Sequence, residues 1–192
     1  CTPSHSYMKH LYKYPQNKFP YTKLLEENKN RGRDQLEYEL LDTGIFDNNA
    51  YFDVATEYAK ADNEDILIKI TISNRGENTA PIHLLPTLWI RNYWSFVDMP
   101  QKPKIQKKIQ NKTPFVAIEH IYVGNYNLYF DTASELLFTE NETNMQAVFN
   151  SKNEHPYKKD LFHEAVTTNN YKLATKLESG TKFAPVYKLT LA

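Results

Sequence analysis

Strict alternation of apolar and polar positions is the strongest signal in this 192-residue chain. From Tyr51 to Lys60, Phe52, Val54, Thr56 and Tyr58 point one way, and Asp53, Ala55, Glu57 and Ala59 the other. After a connector at residues 61–65, Ile66, Ile68, Ile70 and Ile72 repeat the two-residue period in a run dominated by β-branched side chains. Asn74-Arg75-Gly76-Glu77-Asn78 reads as a tight turn, and Ala80 to Asn92 as a third long strand. Both faces of that third strand are largely apolar, which predicts a central position covered on both sides, with Trp89 packed in the core. Three strands joined by short turns predict an antiparallel meander.

The flanking segments are weaker. Residues 1–20 carry Tyr7, Met8, Leu11, Tyr12 and Tyr14 between prolines, the pattern of an extended segment or edge strand. Tyr21, Leu24, Leu25 and Asn28 at helical spacing predict a short surface helix that Gly32 ends, and Leu36, Tyr38 and Leu40 predict a strand over 34–42. Lys102, Lys104, Lys107, Lys108 and Lys112, bracketed by Pro100, Pro103 and Pro114, read as a solvated loop. Further strands are expected at 115–120, 125–130, 135–139 and 182–191, the last with a break near Pro185. A helix after Thr139 is expected from a Thr139/Glu142 capping box, burying Met145, Val148 and Phe149, and another over 159–166 buries Leu161, Phe162, Ala165 and Val166. The fold class that follows is mainly β, an antiparallel β-sandwich of the super-sandwich type with two or three short surface helices, in a single domain over 1–192.

Composition supports a sheet-rich core: 41% of residues are hydrophobic, with 14 tyrosines, 10 phenylalanines and only 5 glycines. The 23 basic residues balance the 23 acidic ones, so no global field recruits nucleic acid or an anionic membrane. No apolar run is long enough to span a bilayer. Cys1 is the only cysteine, which excludes an intrachain disulfide. The sequence opens on Cys-Thr-Pro-Ser-His with neither an initiator Met nor a signal peptide, so the expectation is a piece of a longer cytoplasmic polypeptide.

Nucleophile, phosphate-loop and metal motifs are absent from the sequence: no G-x-S-x-G, no Walker glycine loop and no H-E-x-x-H. No metal site and no cofactor is expected. Two features carry chemistry. Leu84–Phe96 holds both tryptophans together with Arg91 and Asn92, and indole faces beside a guanidinium and an amide suit either a sugar surface or a sandwich core. Trp94, beyond the expected strand, has the better claim on a ligand. Glu140 and Glu142 flank Asn141, and two carboxyl groups roughly 5–10 Å apart are what glycoside hydrolysis requires. A corner role for this trio is the competing reading, so no catalytic residue is assigned, and Arg91, Asn92, Trp94, Glu140 and Asn141 form the expected carbohydrate-binding set.

Thr2–Lys9, Leu11–Gln16, Glu39–Gly44, Leu84–Phe96 and Leu136–Asn144 together resemble, in order along the chain, a bacterial group of glucosidase-like proteins related to glycoside hydrolase family 63, the mannosyl-oligosaccharide glucosidase and mannosylglycerate hydrolase relatives. The resemblance implies the later part of an N-terminal β-sandwich whose partner is an (α/α)6 toroid. That toroid supplies the catalytic acid and base, and none of its motifs occurs in this chain. Three readings follow. The first is a non-catalytic sandwich domain packing on the toroid and lining its cleft. The second is an independent carbohydrate-binding module taking an oligosaccharide, and the third a self-contained glycosidase using Glu140 and Glu142. A sandwich separated from its partner segments is also expected to self-associate through open edges.

Overall fold

The structure, a computed structural model, describes residues 1–98 and 101–192; Pro100, expected to help bracket the lysine-rich segment, lies outside the described residues. In chain order the elements are β1 (Tyr7–Pro15), α1 (Tyr21–Asn30), β2 (Tyr51–Asp62), β3 (Asp65–Asn74), β4 (Ala80–Leu84), β5 (Leu88–Trp89), β6 (Lys104–Gln110), β7 (Thr113–His120), β8 (Gly124–Leu128), β9 (Glu135–Thr139), α2 (Met145–Phe149), α3 (Leu161–Thr167), β10 (Ser179–Gly180) and β11 (Lys182–Leu191). The fold is mainly antiparallel β with few, short helices, as the alternation predicts. The chain divides into two compact units, one of residues 1–82 and 190–192 and the other of residues 83–189.

The first unit is built on a sheet of order β1-β2-β3. Its register places Met8, Tyr12 and Tyr14, then Val54 and Tyr58, then Ile66, Ile68, Ile70 and Ile72 on one face. This face is mostly apolar and covered only in part: Phe52 is buried at one end, whereas Tyr12, Tyr14, Tyr58, Ile66 and Ile68 are exposed. The opposite face carries Lys13, Asp53, Ala55 and Glu57. There Asp53 is buried between Lys13 Nζ at 3.0 Å and Arg75 Nε at 2.7 Å, and the hydrogen bonds from Lys13 first, then Arg75, pull its carboxyl below the ordinary range. Asn74 ties the sheet to its surroundings, donating to the carbonyls of Asn78 and Leu191 while accepting from Gln16 Nε2.

The second unit is a sandwich with a helical layer. One sheet runs β10-β6-β7-β8, and in the other β11 pairs β9 on one side and β5 on the other. Ile105 of β6 and Val116 of β7 share a core with Ile90, Phe138 of β9 and Phe183 of β11, so the two sheets face each other. Phe183 lies 4.9 Å from Phe138 and 5.3 Å from Phe130, centroid to centroid. The reverse face of β9 and β11 packs Leu137, Ala184 and Val186 against Leu161, Phe162 and Ala165 of α3, with Tyr171 and Ala174. Burial on both faces explains why Phe183-Ala184-Pro185-Val186 is a continuous apolar run. Gly180 is required where β10 approaches Thr139, because a Cβ there would collide with the Thr139 carbonyl.

Several expectations are corrected. Residues 34–39 form no strand; Glu39 and Asp42 close a reciprocal capping box that winds residues 40–43 into a 3-10 turn. The run 80–92 is broken at Leu85-Pro86-Thr87 into β4 and β5, so it is no single covered strand, and β3 pairs with β2 alone among the described residues. Lys104, Lys107 and Lys108 lie on β6 and not in a loop, since the buried Ile105 draws that segment into a ladder with β7. No break occurs at Pro185, which sits inside β11 opposite Leu136. The capping residue of α2 is Asn144, whose side chain accepts from Ala147 N, and Thr139 instead donates to the Lys158 carbonyl. Consequently Met145, Val148 and Phe149 are exposed.

Candidate functional site

The expected site residues all fall in the second unit, along two segments: Trp89–Trp94, which continues β5, and Glu140–Glu142, which follows β9. The first segment keeps its alternation beyond the strand. Leu88, Ile90 and Trp94 pack on the inter-sheet core, with Asn92 half-buried, while Trp89, Arg91 and Tyr93 face outward. Backbone bonds fix it: Ile90 N donates to the Thr181 carbonyl at 2.9 Å, and the Ile90 carbonyl accepts from Asn141 Nδ2 at 2.9 Å.

Glu142 is the hub of the second segment. Its Oε1 accepts from Trp94 Nε1 at 3.0 Å and from Lys102 Nζ at 3.0 Å. Its Oε2 meets Lys158 Nζ at 2.9 Å and His155 Nε2 at 3.1 Å. Burial is the largest influence on this carboxyl and acts to raise its pKa. The hydrogen bonds from Lys158, Trp94 and Lys102 together outweigh burial and hold it at about 2. Lys102 Nζ also bridges to Glu140 at 2.9 Å and lies 5.3 Å from the Trp94 ring centroid. Thr181 Oγ1 donates to Glu140 Oε2 at 2.7 Å while accepting from Asn141 N at 2.8 Å.

This wiring separates the five expected residues. Trp94, Glu140 and Asn141 spend their polar groups on partners inside the fold, and Asn92 does the same locally, donating to Ser95 Oγ at 2.9 Å and accepting from Ser95 N at 3.1 Å. Arg91 alone has an exposed, unpaired head group among the described residues, with its guanidinium carbon 4.8 Å from the Tyr93 ring centroid. The two indoles also exchange places relative to expectation: Trp89, expected in the core, is 56% exposed, and Trp94, expected to be accessible in a loop, is half-buried.

As chemistry, the Glu140/Glu142 pair makes a poor acid–base couple. A glycosidase acid must hold its proton near neutral pH, whereas Glu142 is held at about 2 with both oxygens occupied. The cluster fastens residues 140–142 to the Trp94 loop and to Lys158. No group of three metal-ligating side chains gathers among the described residues, and no described helix is long and apolar enough to cross a membrane. Two open concavities lie elsewhere: one of about 410 Å³ beside Pro103, Ile118, His120 and Tyr126, and one of about 650 Å³ beside Arg31, Tyr38 and Asp42.

Lys102, His155, Lys158 and Thr181 were invisible as site residues in the sequence. They stand 13 to 41 positions from the groups they serve, and Trp94 stands 48 from Glu142. The sole advance signal was the acidic-amide trio at 140–142.

No family model matches this sequence, and no solved structure matches it. The chain is 32% identical, over 219 aligned positions, to the uncharacterized protein YMR196W of Saccharomyces cerevisiae. The match takes in 97% of this chain and 20% of the yeast protein, so the chain spans about a fifth of the length of the curated relative it matches.

Proposed function

We propose that this chain is a non-catalytic β-domain of a longer glycoside hydrolase-like protein, of α-glucosidase type, that packs on an (α/α)6 catalytic region. The observation that carries the reading is the uncovered face of β1-β2-β3. Tyr12, Tyr14, Ile66 and Ile68 stand about half exposed on one contiguous sheet surface, at 52%, 48%, 51% and 49%. Each large apolar side chain left in water forgoes on the order of 1 kcal/mol or more that a covering layer would recover. The glycosidase assignment itself comes from the sequence resemblance at Leu84–Phe96 and Leu136–Asn144. The fivefold greater length of the yeast relative leaves ample room for a partner region.

The test begins with the reading frame around this segment and continues with co-expression. An (α/α)6 region encoded with this chain should co-purify with it, and Ile66→Lys with Ile68→Lys should release that region. A frame that encodes no such region, or co-purification indifferent to both lysines, overturns the proposal.

A further inference from the structure

We infer that His120 is a proton-operated clasp on the turn between β7 and β8: the neutral imidazole closes the turn, and protonation releases it. The inference concerns the second unit alone and is independent of the glycoside hydrolase reading above.

The turn has little chemistry of its own. Between His120 and Gly124, which stand opposite each other in the β7–β8 register, the chain runs Ile121-Tyr122-Val123. None of the three is a usual turn former, and each is a good strand former instead. Their side chains are exposed, at 49%, 75% and 61%, so no core holds them in place. Gly124 supplies the reversal with a φ of +95°, a conformation that side chains resist. The remaining support is His120. Its Nδ1 accepts from the backbone N–H of Tyr122 and from that of Val123, each at 3.1 Å. An aspartate or asparagine at the head of a turn does the same through a side-chain oxygen. Here the imidazole takes that place, with its ring 5.9 Å from the Tyr122 ring, centroid to centroid.

An imidazole nitrogen accepts a hydrogen bond only while it carries no proton. The two bonds at Nδ1 therefore fix the neutral ring as the Nε2–H tautomer. Histidine is the side chain that ordinarily gains its charge between about pH 8 and about pH 5. A second proton turns Nδ1 into a donor facing two further donors, and both bonds are lost. Water can take up the freed amides at this exposed turn, so the loss stays local and the sheet need not open. The titratable groups around the ring are few. Glu119 precedes it on β7, Lys104 of β6 stands opposite Glu119, and Tyr122 and Tyr126 belong to the turn and to β8. Gln101 and Pro103, which line the adjoining concavity with it, carry no charge. Among the described residues none of these groups forms an ion pair with His120. The proton that the turn responds to is thus the ring's own. His120 and Ile121 both line the concavity of about 410 Å³, so release also reshapes its rim.

The experiment follows the 192-residue chain by NMR from about pH 8 to about pH 5. Long-range proton–nitrogen spectra identify the His120 tautomer, and amide spectra follow Tyr122 and Val123. At the upper end Nδ1 should be the nitrogen without a hydrogen. On acidification both amides should shift with the midpoint of the His120 ring, and their protection against exchange should fall about fivefold relative to the intrinsic rate. His120→Asn keeps an oxygen acceptor and has no proton to gain, so it should hold the turn and lose the pH dependence. His120→Ala should leave both amides as poorly protected at the upper end as the unaltered chain leaves them at the lower. Circular dichroism should show both variants folded; should either unfold, the tautomer and the shared midpoint in the unaltered chain still decide. An Nδ1–H tautomer at the upper end overturns the inference, as do amides that ignore the His120 titration. Persistence of their pH dependence in His120→Asn overturns it too.

Discussion

The two units are built from strands of the same kind and treat their apolar faces in opposite ways. In the second unit β9 and β11 are covered on both sides: Phe138 and Phe183 face the inter-sheet core, and Leu137, Ala184 and Val186 face α3. In the first, the period-two run Ile66–Ile72 forms as regular a strand, and its apolar side stays open. Backbone pairing with little side-chain burial beyond Phe52 therefore makes the first sheet, while burial on both faces makes the second. Stability and binding should divide along the same line.

The largest expected difference is in the cores. Phe183→Ala removes a fully buried ring wedged between Phe138 and Phe130 and should cost about 3–5 kcal/mol. Ile68→Ala, on the open face, should cost under about 1 kcal/mol. Urea unfolding gives both numbers. Both tryptophans lie in the second unit, so their emission reports that unit directly. Equal losses at the two positions would mean that the open face is covered in solution.

A second contrast lies between the two ion clusters. Lys158 is 5% exposed and is the most buried partner of Glu142, so Lys158→Met leaves that carboxylate to Lys102, Trp94 and His155 and should cost about 2 kcal/mol. Lys13→Met in the first unit removes a half-exposed partner of Asp53 and should cost much less. Comparable costs in thermal or urea unfolding would erase the contrast between a buried and a solvated cluster.

Acid sharpens the same point. Glu142 is held at about 2 against an ordinary 4.5, because three donors overcome its burial. A depressed carboxyl stabilises the fold fully above the unfolded value and ceases to do so as pH falls through the folded one. Second-unit stability should therefore decline from about pH 4.5 to about pH 2. Asp53 is likewise depressed, by Lys13 and Arg75, and its contribution fades below 3.8. The half-exposed partners of Asp53 make that contribution sensitive to salt, whereas Lys158 shields Glu142 from it. Acid titrations at low and high ionic strength, read by tryptophan emission, should leave the second-unit transition in place. Glu142→Gln should flatten it.

How much of this was legible follows from the same physics. The bounds of 135–139 and 182–191 were readable because burial on both faces forces near-continuous apolar runs over 135–139 and 183–186, although the break expected near Pro185 is absent. Trp89 and Trp94 were misassigned because alternation shows that two faces exist without showing which one meets a second layer; β5 pairs with β11 only along Leu88–Trp89, and the Trp89 side remains open. The strand expected over 34–42 failed because a Glu39–Asp42 capping box, a local interaction, prevailed over a period-two pattern with no sheet to join. The partners of the Glu142 hub could not be read, since they converge from positions 13 to 48 residues away.

The smallest effect on stability bears on the open sheet. Among the described residues nothing pairs the outer side of β1 or β3, and β3 presents Ile66, Leu67 and Ile68 along that edge. An edge of exposed aliphatic residues with free backbone groups is a template for further pairing, and natural edges are blunted with lysine. The chain on its own should thus self-associate, with light scattering rising with concentration. Leu67→Lys should suppress that rise while moving the urea midpoint by no more than about 0.5 kcal/mol equivalent, because a 61% exposed side chain contributes little to the folded unit. Persistent association in Leu67→Lys would assign it to the Tyr12/Tyr14 face, and a chain that stays monomeric at every concentration would show that twist or side chains already protect the edge. The variant thereby separates two properties that coincide in β9 and β11 of the second unit, being well paired and being well covered.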